Sequence, residues 1–128
     1  MIDLSLKSCS ASVDSGALFS MLSKDKSPVQ AFRDEYKLTE IGQKHFEAEG
    51  RFTVAESANP DSAPPLKMEF VFEVHMHATA PVWKEGAERF VESELRLLLI
   101  PHARQFVLNM CGQMGIPPVV LPLAVGGS

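Results

Sequence analysis

The segment Leu97 to Pro122, LLLIPHARQFVLNMCGQMGIPPVVLP, constrains the fold more than any other stretch of the chain. An apolar run meets Pro101, a helix of about four turns follows, and Gly115-Ile116-Pro117-Pro118 stops it ahead of another apolar, strand-like segment. Proline suits a first helical position, because the N–H it lacks would have no intrahelical partner there, so the helix is predicted to start at Pro101. Gly115 can take the left-handed conformation that closes a helix, and the two prolines forbid continuation. Between Pro101 and Met114 the strongly polar side chains are His102, Arg104, Gln105, Asn109 and Gln113. Ala103, Phe106, Val107, Leu108, Met110, Cys111 and Met114 take most of the circumference. A helix lying on one sheet should show a single apolar stripe. This one calls for cover on two sides, and a chain of 128 residues has one sheet to offer. A second subunit is therefore expected against Ala103, Phe106, Val107, Met110, Cys111 and Met114.

Length supports one domain over residues 1–128, since a chain of this size buries roughly two-thirds of its unfolded surface. Hydrophobic residues at 45% and charged residues at 22% are ordinary for a soluble globular protein. Twelve basic against sixteen acidic residues give a net charge of −4 with no basic block, which argues against nucleic acid as a partner. No apolar run is long enough to cross a bilayer, and MIDLSLKSCS lacks the layout of a secretory signal. Cys9 and Cys111 form neither a disulfide framework nor a zinc spacing. A reduced, cytoplasmic setting is the simplest expectation.

Along the chain, Ile2, Leu4 and Leu6 share one face, and after a phase slip at Ser8–Cys9 the face continues with Cys9, Ala11 and Val13, which predicts a bulge. Residues 14–34 form a connection too apolar for an unstructured loop. A second strand is expected over 35–41 and a third over 45–57, where Phe46, Ala48, Gly50, Phe52 and Val54 alternate with His45, Glu47, Glu49, Arg51 and Thr53. After the Pro/Asn/Asp-rich turn at 59–65, a fourth runs over 66–78 with Leu66, Met68, Phe70, Phe72, Val74 and Met76 on one side. Helical material follows from Lys84. The order predicts an α+β fold: a four-stranded antiparallel meander with one wet face and a long C-terminal helix on the other.

Catalytic chemistry finds little footing. His75 and His77 point to one side of a strand, but a structural zinc needs about four ligands, and no spacing completes the set, so no metal and no cofactor is expected. Glu69 and Glu73 on that face alternate with apolar residues as on any half-buried strand. Cys111 has no base within reach along its helix and reads as a small buried hydrophobe. What remains is apolar surface. Six methionines and eight phenylalanines exceed what one sheet and one helix layer hide. Phe19, Phe32, Tyr36, Trp83 and Phe90 lie in or beside segments with no clear core role. Exposed apolar patches on a soluble protein mark interaction sites.

The C-terminal segment resembles the SecB family of export chaperones. Pro101, Ala103 and Arg104 stand in that family's Pro-x-Ala-Arg frame, with His102 and Gln105 as departures, and Gly115-Ile116-Pro117-Pro118-Val119-Val120-Leu121 matches its helix exit. The four strands fit the family in order and length, with fainter likeness at 35–38 and 66–69. The resemblance implies a sheet-and-helix protomer and a tetramer built as a dimer of dimers through the helices. It also implies an ATP-independent holding function, with unfolded or nascent polypeptides bound in apolar grooves between the strand connection and the segments around the helix. On this chain those grooves fall to Phe19, Phe32, Tyr36, Trp83, Phe90, Val119 and Leu121. The family's outer sheet face presents acids to the SecA translocase; Asp14 and Glu69 match, and Ser10 stands where another acid is expected. Members usually continue into a second helix and polar tail, whereas this sequence stops at Ser128. Both departures count against SecA and favour a solitary relative, an adaptor or a chaperone dedicated to one partner such as an antitoxin.

Overall fold

In the structure, a computed structural model that describes residues 2–14, 16–18, 29–57 and 64–116 apart from the side chain of Val29, period-2 patterning becomes one sheet. Its strands are β1 (Ile2–Val13), β2 (Val29–Ile41), β3 (His45–Ser57) and β4 (Leu66–His77), followed by α1 (Lys84–Ser93) and α2 (Leu95–Met114). All neighbours are antiparallel, and the spatial order is β1-β4-β3-β2. The expected α+β class and four-stranded antiparallel sheet with a long C-terminal helix are what the chain adopts. The order corrects the simple meander: β2, β3 and β4 follow one another, but β1 pairs with β4. Alternation states which face a strand presents and carries no information on its neighbour.

The expected bulge in β1 is present as a register shift between Leu6 and Ser8. It keeps Ile2, Leu4 and Leu6 on the same side as Cys9, Ala11 and Val13. β2 begins six residues before the predicted 35, so Phe32 and Asp34 join the face that carries Tyr36 and Leu38. A second shift, between Leu38 and Glu40, lies opposite Ala48 and Glu47.

The core lies between this face and the helices. Phe52, Phe70, Leu66, Met68, Val54 and Val74 are buried from the sheet, and Leu95, Leu99, Ala103, Val107 and Cys111 from α2, a repeat of four that sets one stripe on the strands. Gly50 makes this approach possible. A Cβ there would sit 2.5 Å from Leu99 Cδ1, so a side chain at 50 would lift α2 off β3.

Two expectations for the helices need correction. The helical run from Lys84 is interrupted at Glu94, between α1 and α2, and Pro101 lies inside α2 rather than at its start. The helix accommodates it because Pro101 and Leu97, whose carbonyl loses a partner, both face solvent, where water substitutes. Ala103, Val107 and Cys111, assigned from sequence to a subunit interface, are 0, 0 and 1% exposed within a single chain. The first covering layer is the protomer's own sheet. Gly115 closes α2 in the left-handed conformation (φ 68°) with its N–H bonded back to Gly112 O, as expected.

Candidate binding cleft

Three backbone bonds build one end of the molecule. Gly42 N–H donates to His45 O (2.7 Å), Ala78 N–H to Lys44 O (2.8 Å) and Val82 N–H to Gln43 O (2.9 Å), fastening the segment after β4 against the β2–β3 turn. Pro81-Val82-Trp83 then leads into α1, where Trp83 occupies the N-cap position in extended conformation without a capping side chain. Ser, Thr, Asp or Asn would cap better, so the indole costs the helix about 1 kcal/mol of unmade capping energy. An unfavourable cap that exposes a large aromatic suggests a role outside the fold.

The indole is 65% exposed and forms one wall of an apolar cleft of about 480 Å³. Phe46 and Met76 supply strand-side lining, and Phe90 meets Phe46 edge-on at 5.6 Å. Arg89, Ser93 and Glu94 add polar groups to the lining. The cleft has room for more than one large apolar side chain, and its lining is what a site for extended polypeptide needs: aromatic and thioether surface with a few polar groups.

The structure brings Trp83 and Phe90 together here and leaves the other candidates elsewhere. Phe32 and Tyr36 are half-buried against Phe52, with ring centroids 6.1 and 5.9 Å away, opposite the far half of β3. Tyr36 donates its hydroxyl to Asp34 Oδ2 (2.9 Å), and burial first, then the Asp34 carboxylate, pushes its ionisation far above the ordinary tyrosine range. Phe19, Val119 and Leu121 lie outside the described residues. Sequence places Trp83 and Phe90 at a groove, whereas Phe46 and Met76 read only as core-facing strand residues, because alternation does not show which strand ends border a cleft.

The acids expected to face a translocase are engaged within the chain. Asp14 accepts the Ala17 N–H at 3.1 Å and its carbonyl accepts the Leu18 N–H, so it caps the helical turn at 16–18. Glu69 stands on the outer sheet face but is paired with Arg51 Nη1 at 3.1 Å. Lys7 likewise holds Glu49 and draws its carboxyl below the ordinary carboxylate range.

One face of β1 and the solvent side of α2 are apolar or uncharged. On β1, Ile2 and Leu6 are 46 and 43% exposed, and Cys9 and Ala11 of the same face are exposed too. The solvent side of α2 carries Leu97, Pro101, His102, Gln105, Asn109 and Gln113, with no Asp, Glu, Lys or Arg among its exposed residues. Phe106, Met110 and Met114 flank it half-buried, packed against the core. By contrast, α1 exposes Lys84, Glu85, Arg89 and Glu92.

No sequence-family profile and no curated protein sequence matches this chain. Among solved structures, the SecB-like chaperone Rv1957 of Mycobacterium tuberculosis, in complex with a ChAD peptide from the HigA1 antitoxin, superposes with a TM-score of 0.73 at 16% identity. The match covers 96% of this chain and 88% of that one. A Streptococcus agalactiae protein of unknown function matches at a TM-score of 0.51 and 10% identity, over 96% of this chain and 98% of that one. The chain therefore has the fold of a SecB-like chaperone.

Proposed function

We propose that this protein is an ATP-independent holding chaperone that binds unfolded or nascent polypeptide, with the Trp83 cleft as a client site. The observation that carries the reading is an indole left 65% exposed at the wall of a cleft of about 480 Å³. Clients bind by burying apolar side chains there at roughly 25 cal/mol per Å² of apolar area. No nucleotide or catalytic group is required. No helix among the described residues is long and apolar enough to cross a membrane, and the chaperone acts in the cytoplasm.

A dedicated client is favoured over general export. The neighbour of the same fold was solved with an antitoxin peptide, and here Glu69 is neutralised by Arg51 while Asp14 caps a turn. These two acids, already engaged within the chain, offer little to a basic translocase surface.

The protomers assemble, in this reading, into a dimer of dimers through the exposed apolar face of β1 and the uncharged side of α2. A second copy covers Ile2, Leu6 and Leu97, with Phe106, Met110 and Met114 at the margin. Sedimentation or light-scattering mass should give an assembly larger than one chain, and Leu97→Glu should shift it toward smaller species. A wild-type monomer would remove the interface.

Trp83→Glu tests the cleft. The side chain is mostly in water, so the variant should fold and assemble normally, yet bind a chemically denatured test client at least tenfold more weakly and lose suppression of its aggregation without nucleotide. Large aromatics at cleft centres commonly carry effects of this size. Unchanged client affinity in a folded Trp83→Glu protein would refute the assignment.

A further inference from the structure

We infer that the outer face of the sheet, behind the cleft, holds a divalent transition-metal site of the zinc class built from Glu47, Glu73 and His75, with Glu40 and His45 beside them. Sequence alone placed His75 and Glu73 on one face but gave no third ligand, because strand neighbours are not encoded in alternation. The observed pairing supplies it. His75 of β4 lies directly opposite Glu47 of β3, and Glu47 lies opposite Glu40 of β2 just past the register shift.

One ligand atom from each of Glu47, Glu73 and His75 falls within 4.8 Å of the others, and a second such group, Glu40, His45 and Glu47, shares Glu47 with the first. His75 Nδ1 is 2.9 Å from Glu47 Oε1, and its Nε2 is 2.8 Å from Glu73 Oε1. Small rotations of these half-exposed side chains close either group onto one ion with bonds of about 2.0–2.2 Å. In metal sites one imidazole nitrogen ligates and the other is oriented by an acid or carbonyl; here one carboxylate would move from its ring nitrogen onto the ion.

Charge separates this end from the rest of the face. Elsewhere the carboxylates meet cations, as Glu49 meets Lys7 and Glu69 meets Arg51. Here the described ion pairs of Glu47 and Glu73 are with His75, and the ammonium whose field reaches Glu73, Lys7, is held by Glu49. Glu40 is the cross-strand neighbour of Glu47, and like charges placed so close are relieved by a divalent cation. The imidazole in each group favours a borderline-soft ion over magnesium or calcium, which prefer all-oxygen sets. Since Phe46 and Met76 line the cleft from the opposite face of the same strand ends, a bound ion would clamp β2, β3 and β4 behind its floor.

The test is a calorimetric titration of the full chain with Zn²⁺, repeated with Co²⁺ to read ligand type from its visible absorption. One saturable Zn²⁺ per chain is expected, with His75→Gln and Glu47→Gln each weakening it at least tenfold. Glu69→Gln, on the same face but away from the cluster, should leave affinity unchanged. Circular dichroism of the variants confirms folding. Absence of saturable binding by the wild type, unaltered affinity in both ligand variants, or equal loss in Glu69→Gln would each overturn the assignment. Because the readout is metal binding, its failure leaves the client reading untouched.

Discussion

Phe52→Ala should lower the free energy of unfolding by about 3–5 kcal/mol, the range for a large aromatic truncated in a packed core. Phe52 is completely buried at the centre of a ring cluster. Phe70 stacks on it at 5.3 Å, Phe72 meets it at 6.0 Å, and Phe32 and Tyr36 approach from β2. Phe106 of α2 then closes on Phe70 at 4.4 Å and on Phe72 at 6.1 Å. The Phe52 ring thus joins β2, β3 and β4, and through Phe70 and Phe72 the cluster reaches α2, so removing it leaves a void that no single neighbour can fill. A fold of this size has roughly 5–15 kcal/mol in total, so the variant should sit close to its unfolding threshold. Urea unfolding at fixed protein concentration measures the loss, concentration being held because assembly adds to apparent stability. Phe52→Leu, which keeps most of the volume and no charge, should cost well under half as much. A loss below about 1 kcal/mol for Phe52→Ala would show that the ring cluster does not organise the core.

The strands that were easiest to read are those whose alternation is uninterrupted. His45–Ser57 and the face carrying Leu66 to Met76 follow from period 2 alone, and the slip at Ser8–Cys9 located the β1 bulge within a residue or two. What escaped the sequence depends on which strands and helices lie side by side. The pairing of β1 with β4, the reach of Glu47 to His75 and the joining of Trp83 to Phe46 all require the completed sheet. Pro101 misled because proline at a helix start and proline on the wet side of a continuous helix leave the same local pattern. The all-round greasiness of the C-terminal helix was legible. Which part of it the chain covers itself was not, since Ala103, Val107 and Cys111 differ from Phe106, Met110 and Met114 only by which side of the axis meets β3 and β4.

Asp34 owes its place on the core-facing side of β2 to a long-range partner, and it yields the second large expected effect. It shares the core-facing side of β2 with Phe32, Tyr36 and Leu38, where an unpaired carboxylate would be costly. Arg96, in the first turn of α2, meets it across a sequence separation of 62, with Nε 2.6 Å from Oδ2 in a charge contact rather than an aligned hydrogen bond, and Nη2 3.4 Å from Oδ1. Tyr36 donates to the same carboxylate. A cation in the first turn of a helix opposes the helix dipole, so the carboxylate also offsets a charge that α2 would otherwise carry unfavourably. Asp34→Ala leaves the guanidinium facing apolar surface and the Tyr36 hydroxyl without its acceptor. Because the Arg96 side chain keeps 30% of its exposure, water recovers part of the loss, and the expected destabilisation is about 2 kcal/mol, below the 3–5 typical of a fully buried pair. Arg96→Met should cost less, since its stem volume is kept and Tyr36 still serves Asp34. The double replacement, with Asp34→Leu, should return most of the stability because two apolar side chains satisfy each other there. A double-mutant cycle closed with Asp34→Leu and Arg96→Met, each alone and together, in urea unfolding reads the coupling directly. Coupling of 1 kcal/mol or more would establish that this pair fixes the start of α2 on β2; additive losses would mean that apolar packing alone holds it.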